Sequence, residues 1–131
     1  MFMFCSHQIR TLIALSLFIL FSTVYAQEFP PKKTITIVVG FAPGGSADSA
    51  ARVIAKKLSE DLGQNVIVDN KPGAGGNIAH AYTANATPDG SVILFGSIGP
   101  LSIAPHLMKL PYDPQKDLAP LTMGVTFPNV L

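Results

Sequence analysis

The strongest constraint in this sequence is a stretch with almost no solvent face. Residues 34–41 read Thr-Ile-Thr-Ile-Val-Val-Gly-Phe, β-branched and nearly continuous in apolarity. Such a run suits a strand buried on both sides, which is the signature of a parallel sheet covered by helices. The residues after this run fit such a sheet. Ser46 is placed to cap a helix running to Leu62, with Ala47, Ala50, Ile54, Leu58 and Leu62 on one face and Arg52, Lys56, Ser59 and Glu60 mostly on the other; Gly63 supplies the stop. Asn65–Val68 reads as a second short strand. Pro72 to Gly76 interrupts the chain before a second helix over 77–86, whose expected buried stripe is Ile78, Ala81, Tyr82 and Ala86. Pro88-Asp89-Gly90 is a turn and Val92–Phe95 a third strand.

Beyond the third strand the pattern is weaker. A short helix is expected over 102–108, with Pro105 tolerated only in its first turn. Residues 110–120 carry three prolines and read as irregular, and 121–125 and 129–131 read as strand material separated by a turn near Pro128. Because the last residues fall inside an apparent strand, the chain is expected to be the opening part of a longer protein.

The predicted order βαβαβ implies a mostly parallel, doubly wound α/β sheet, in which ligands bind beyond the carboxyl ends of the strands. Three loops should meet there: 41–46, 70–77 and 96–102. Each is rich in glycine and small residues and leads into a helix, so backbone N–H groups and the positive ends of helix dipoles converge on one crevice. That is an anion site. Gly44, Gly45, Gly75 and Gly76 allow an anionic group to approach the backbone, and Ser46, Asn77, Ser97 and Ser102 can add polar contacts. Asp48 is the one acid nearby, able either to serve the first turn of its helix or to touch a ligand. Arg52 is expected to face solvent or a neighbouring acid, and Lys71 to reach a carboxylate at the rim.

Several functions are excluded or disfavoured. All 11 glycines and all 11 prolines come after residue 26, whereas the single cysteine, Cys5, precedes it. A disulfide scaffold, a cysteine–zinc site and a cysteine nucleophile therefore have no residues to use. Over residues 27–131, eight Lys plus Arg balance eight Asp plus Glu, so no polyanion-binding surface is implied and nucleic acid is not an expected partner. Gly44-Gly45-Ser46 lacks the lysine of a phosphate loop, and Ile78 occupies the third small position of a dinucleotide fingerprint, so no nucleotide cofactor is expected. His80 and His106 have no third ligand in evidence and read as packed or surface histidines, leaving no expected metal site. Without a Gly-X-Ser-X-Gly elbow around Ser46 or Ser97, an exported hydrolase is disfavoured and no catalytic residue is assigned.

The first 26 residues have the form of a Sec-type signal peptide. One positive charge at Arg10 precedes the apolar run 11–21, which is too short to span a membrane, and Val24-Tyr25-Ala26 offers a cleavage site after Ala26. The expected product is exported to the periplasm.

With these elements placed, a family resemblance is evident. Residues 33–39 (Lys-Thr-Ile-Thr-Ile-Val-Val), 41–48 (Phe-Ala-Pro-Gly-Gly-Ser-Ala-Asp), Ala51-Arg52 and 68–78 (Val-Asp-Asn-Lys-Pro-Gly-Ala-Gly-Gly-Asn-Ile) resemble the substrate-binding receptors of tripartite tricarboxylate transporters, the Bug family. Pro88-Asp89-Gly90, residues 110–114 and residues 116–120 continue the match; 96–100 follows it less closely. The resemblance implies a periplasmic two-lobed, Venus-flytrap binding protein. Residues 27–131 would form the N-terminal part of its first lobe. It further implies a receptor without catalytic residues that captures a small organic carboxylate, held largely by loop amides and bridging waters, and delivers it to membrane transporter subunits. The ligand-contacting positions would be Phe41, Ala42, Gly44, Gly45, Ser46, Asp48, Gly75, Gly76, Asn77 and Ser97. A sensory binding protein on the same scaffold, signalling to a membrane sensor, is the alternative.

Overall fold

The computed structural model describes residues 33–126. The expected leader and the strand expected over 129–131 lie outside the described residues. Strand β1 (Ile35–Val39) is followed by helix α1 (Ser46–Leu62), strand β2 (Val66–Asn70), a single 3-10 turn (Ala74–Gly76), helix α2 (Asn77–Ala84), strand β3 (Val92–Phe95), a π-helical turn (Gly99–Ile103) and helix α3 (Ala104–Leu107). The three strands form one parallel sheet in the order β2-β1-β3. Ile35 lies opposite Val66 and Val39 opposite Asn70 on one side; Thr36 lies opposite Val92 and Val39 opposite Phe95 on the other.

This order explains the composition of β1. As the central strand it is paired on both edges and covered on both faces, and Val38 and Val39 are fully buried. The chain leaves β1 toward β2 and then recrosses to β3, so crossovers of a single hand place α1 and α2 on opposite faces. On one face Ile37 and Val39 pack with Ala51 and Ala55 of α1, flanked by Ala47, Ile54, Leu58, Val66, Val68, Ile93 and Phe95. Burying each large aliphatic side chain here is worth about 1.5–3 kcal/mol, and the small alanines let α1 approach the sheet closely.

On the other face the approach is closer still. A Cβ added to Gly40 would stand 2.9 Å from the Gly76 Cα and 3.4 Å from the Ala79 Cβ. The backbone entering α2 thus lies almost against the end of β1, leaving no room for large side chains. The buried residues of α2 are accordingly Ala79 and His80, while Ile78 and Tyr82 are exposed. This corrects the expected stripe: hydrophobicity favoured the large residues, but close packing selected a small one and an imidazole.

Three further expectations are corrected. Ser46 is the first helical residue rather than the cap; Gly45 occupies the N-cap and no side chain caps it. The third helical segment begins before Ser102, with its π-turn at Gly99, although Pro105 does fall in the first turn of α3. Residues 121–126 form no strand. That segment passes over the α1 face of the sheet, where a Cβ at Gly124 would lie 3.4 Å from Phe95 and 3.6 Å from Ile54. The C-terminus of α1 is as expected, with Gly63 at φ 63°.

Candidate functional site

All three expected loops emerge from the carboxyl edge of the sheet, as parallel strands require. The first, between β1 and α1, is exposed from Phe41 to Ser46. Gly44 adopts φ +87°, a conformation disfavoured for residues with a Cβ, and nothing lies within 4 Å of where its Cβ would project. The first-turn amides of α1 have no intrahelical acceptors by helix geometry, and Ser46 carries a hydroxyl beside them.

Beneath this loop lies an ionic cluster. The carboxylate of Asp48, only 3% exposed, accepts the Gly44 N–H (2.9 Å) and the Arg52 Nε–H (3.0 Å) on Oδ2, and Asn70 Nδ2–H (3.0 Å) on Oδ1. Asn70 Nδ2 also donates to the Phe41 carbonyl (3.1 Å), and the Arg52 guanidinium donates to Asn70 Oδ1 (3.2 Å). The Arg52 hydrogen bond above all, then the Gly44 amide, lowers the Asp48 pKa to about 2. Both carboxylate oxygens therefore serve the loop and the end of β2. Arg52 is committed to the same cluster, matching the expectation of a neighbouring acid. Lys71 pairs with Asp69 (3.0 Å) and lies 4.2 Å from the centre of the Tyr82 ring.

The second loop packs against the first strand's end through Gly40 and Gly76. Gly75 has open space beyond its Cα. Some amides here are already occupied: Gly76 N–H donates to Gly73 O (2.9 Å), and Asn77 N–H to Ala74 O. The Asn77 side chain is likewise engaged, its Nδ2 donating to Ala74 O (2.8 Å) and its Oδ1 accepting the Tyr112 hydroxyl (2.8 Å).

The third loop faces inward. Ser97 N–H donates to His80 Nε2 (3.4 Å), and Ser97 Oγ is buried without a partner among the described residues. A Cβ on Gly76 would lie 3.7 Å from that hydroxyl and 3.2 Å from Pro100. The crevice thus brings Phe41, Ala42, Gly44, Gly45, Ser46 and Gly75 to one exposed edge, while Asp48, Asn77 and Ser97 brace it from inside; Gly76, expected at the edge, is instead buried by its packing on Gly40 and Pro100. Asn70, His80 and Tyr112 are structural members that sequence reasoning left out. Of the whole bracing set, only the Asp48–Arg52 spacing of four residues within a helix gave an advance signal.

A concavity among the described residues lies elsewhere. It has a volume of about 670 Å³, opens widely at the amino edge of the sheet, and is lined by residues including Tyr82, Asn85, Ser91 and Val92. Its position is unrelated to the convergent loops. Among the described residues no group of three or more His, Cys, Asp or Glu is arranged to hold a metal.

Known proteins share this architecture. Residues 50–131 match the model of the tripartite tricarboxylate transporter family receptor. A UPF0065 protein of Pseudomonas sp. is 39% identical over 124 residues, covering 93% of this chain and 37% of that protein. BugT of Bordetella pertussis is 43% identical over 103 residues, covering 77% and 32% of the respective chains. Among solved structures, MatC from Rhodopseudomonas palustris with bound malate superimposes with a TM-score of 0.61 at 42% identity, over 64% of this chain and 29% of that one. An R. palustris protein with adipate gives 0.53 at 42% identity, over 55% and 24%. The chain spans about a third of the length of the curated relatives it matches. A parallel sheet with loops converging at its carboxyl edge, together with identity of this extent, means that the chain belongs to the tripartite tricarboxylate transporter receptor family.

Proposed function

We propose that this protein is a periplasmic solute-binding receptor for a small organic carboxylate, which it delivers to the membrane subunits of a tripartite tricarboxylate-type transporter. In this reading the first 26 residues are a signal peptide cleaved after Ala26, and residues 27–131 contribute the N-terminal part of the first of two lobes. The observation that carries the proposal is the exposed glycine-rich loop ahead of α1, where the first-turn amides offer hydrogen-bond donors to an anion and the open space at Gly44, whose own N–H is held by Asp48, lets it approach. Two relatives of the same architecture have malate or adipate in their structures, which supports a carboxylate as the ligand class.

The chemistry required is capture, without a bond being broken. Among the described residues the cations nearest the loops, Arg52 and Lys71, are engaged by Asp48 and Asp69, so in this lobe the ligand charge would be met by backbone dipoles. Such fixed dipoles are pre-organised and need no side-chain ordering on binding. Phe41, Ala42, Gly44, Gly45, Ser46 and Gly75 would form the contact surface, with the buried Gly76 and with Asp48, Asn77 and Ser97 holding it in place.

Native mass spectrometry of the full-length receptor purified from its periplasm tests this directly. A co-purifying di- or monocarboxylic acid, displaced by malate or adipate in calorimetry, is the expected result. A protein that binds no acid from a broad carboxylate panel would overturn the proposal.

A further inference from the structure

Among the described residues one ionisable ring, that of His80, is fully buried, and its surroundings leave it a single arrangement of protons. Its Nδ1 lies 2.9 Å from the Gly76 carbonyl oxygen, and its Nε2 lies 3.4 Å from the Ser97 backbone nitrogen. A carbonyl oxygen only accepts and a backbone N–H only donates. The ring must therefore carry its proton on Nδ1 and present a lone pair at Nε2, which is the neutral form. Gly76 belongs to the second crevice loop and Ser97 to the third, so one imidazole bridges the two.

The rest of the environment holds the ring in that role. His80 stacks on Tyr112 with ring centroids 6.2 Å apart, and the Tyr112 hydroxyl donates to Asn77 Oδ1 (2.8 Å) and lies 3.2 Å from the Pro100 carbonyl. These contacts again join the second loop to the third. A Cβ at Gly96 would stand 3.4 Å from His80 Nε2, so the third loop closes tightly over the ring.

We propose that His80 is a positioning residue for the ligand crevice: its neutral Nδ1–H tautomer clamps the second loop to the third and sets the spacing of the groups they present. This deepens the proposed function and rests on that reading of the loops. Tyr112 is the titratable group packed against the ring, and burial raises its pKa, keeping its hydroxyl protonated; burial likewise lowers the His80 pKa and favours the neutral form.

The clamp can be tested separately from ligand binding. In the full-length receptor, the expected imidazole nitrogen shifts for His80 are those of a neutral ring protonated at Nδ1; a ring protonated at Nε2 overturns the proposal without any mutation. His80→Gln retains an acceptor near the Nε2 position, whereas His80→Asn retains only a donor near Nδ1. Losing one hydrogen bond should raise Ser97 amide exchange in His80→Asn about tenfold, with His80→Gln staying within about threefold of wild type. Malate affinity by calorimetry should fall in the same order. If Ser97 exchange is the same in all three proteins, the clamp is wrong whatever their affinity. If exchange follows the expected order but the wild type binds no carboxylate, the clamp stands and the proposed function fails.

Discussion

Two braces support the crevice, and they are built from opposite materials. Under the first loop, Asp48, Arg52 and Asn70 form a charged cluster with the Arg52 side chain about half exposed, at 53%. Under the second and third loops, His80 and Tyr112 form a neutral brace, with His80 wholly buried. The difference follows from position. The first loop opens directly into α1, whose first turn favours a carboxylate and whose next turn can supply the arginine that pairs with it. The other two loops meet over the tightly packed face where Gly40 touches Gly76; an ion there would lose its hydration without recovering it, so a ring with one donor and one acceptor serves instead.

The harshest challenge to the charged brace is to fill the space it keeps open. In Gly44→Val, a Cβ is forced onto a φ of +87° and projects from the exposed edge. Carboxylate affinity should fall at least about a hundredfold, given the cost of a β-branched residue at positive φ, while circular dichroism remains that of a folded protein. Unchanged affinity would remove the first loop from the site.

Asp48→Ala comes next. It frees Gly44 N–H and leaves Arg52 and Asn70 without their shared acceptor. Affinity should drop by about ten- to a hundredfold, as expected for losing several charge-assisted hydrogen bonds beneath a site. Asp48→Asn, which keeps one acceptor oxygen, should lose less than either Asp48→Ala or Gly44→Val. A loss at Asp48→Asn as large as at Gly44→Val would mean that the carboxylate itself meets the ligand. Calorimetry on the full-length variants distinguishes these outcomes.

The two braces should also separate by pH. The folded Asp48 has a pKa of about 2 against an ordinary 3.8, so its contribution is complete above pH 4 and is lost only as pH falls through about 2. His80 behaves differently. Its pKa is lowered by burial from an ordinary 6.5, so its contribution is complete above that value and declines below it, as the unfolded chain takes up a proton that the folded one resists. Between pH 6.5 and its folded pKa this costs up to about 1.4 kcal/mol per pH unit. Denaturant midpoints measured from pH 8 to 5 should therefore fall more steeply for wild type than for His80→Gln. Parallel slopes would show that His80 is not buried in its neutral form.

The smallest expected effect is at Ser46. Its side chain makes no capping bond, so Ser46→Ala should change stability by less than about 0.5 kcal/mol, against about 1 kcal/mol for a true cap. A thermal melt that shows the larger loss would place the hydroxyl back in the capping role.

Much of the fold was legible from the chain itself, because two local signals agree. The β-branched run at 34–41 is nearly continuous in apolarity and so reads as a strand covered on both faces, as β1 is, and Gly63 stops α1 where the helical period ends. The loops followed from the strand directions, since parallel strands send every carboxyl end to one edge. Features that escaped were decided by distance rather than pattern. Ile78 and Tyr82 are the most apolar choices for the inner face of α2, yet the Gly40–Gly76 contact brings that helix too close for them, and Ala79 and His80 fill the interface. Residues 121–125 have strand composition, but composition does not provide a pairing edge, and the chain there lies exposed over Phe95 and Ile54. Asn70 closes a strand; only the fold shows that its amide reaches both Asp48 and the Phe41 carbonyl.

If the braces serve the crevice, a carboxylate is bound by the loops at the carboxyl edge and not by the open concavity at the amino edge. Titrating malate into the isotope-labelled full-length receptor, and following every backbone amide, decides between the two places. The largest shifts are expected on Gly45, Ser46, Ala47 and Gly75, with Tyr82, Asn85, Ser91 and Val92 nearly unmoved. Shifts concentrated on that second group, with the glycine-rich loops unchanged, would contradict binding at the carboxyl edge.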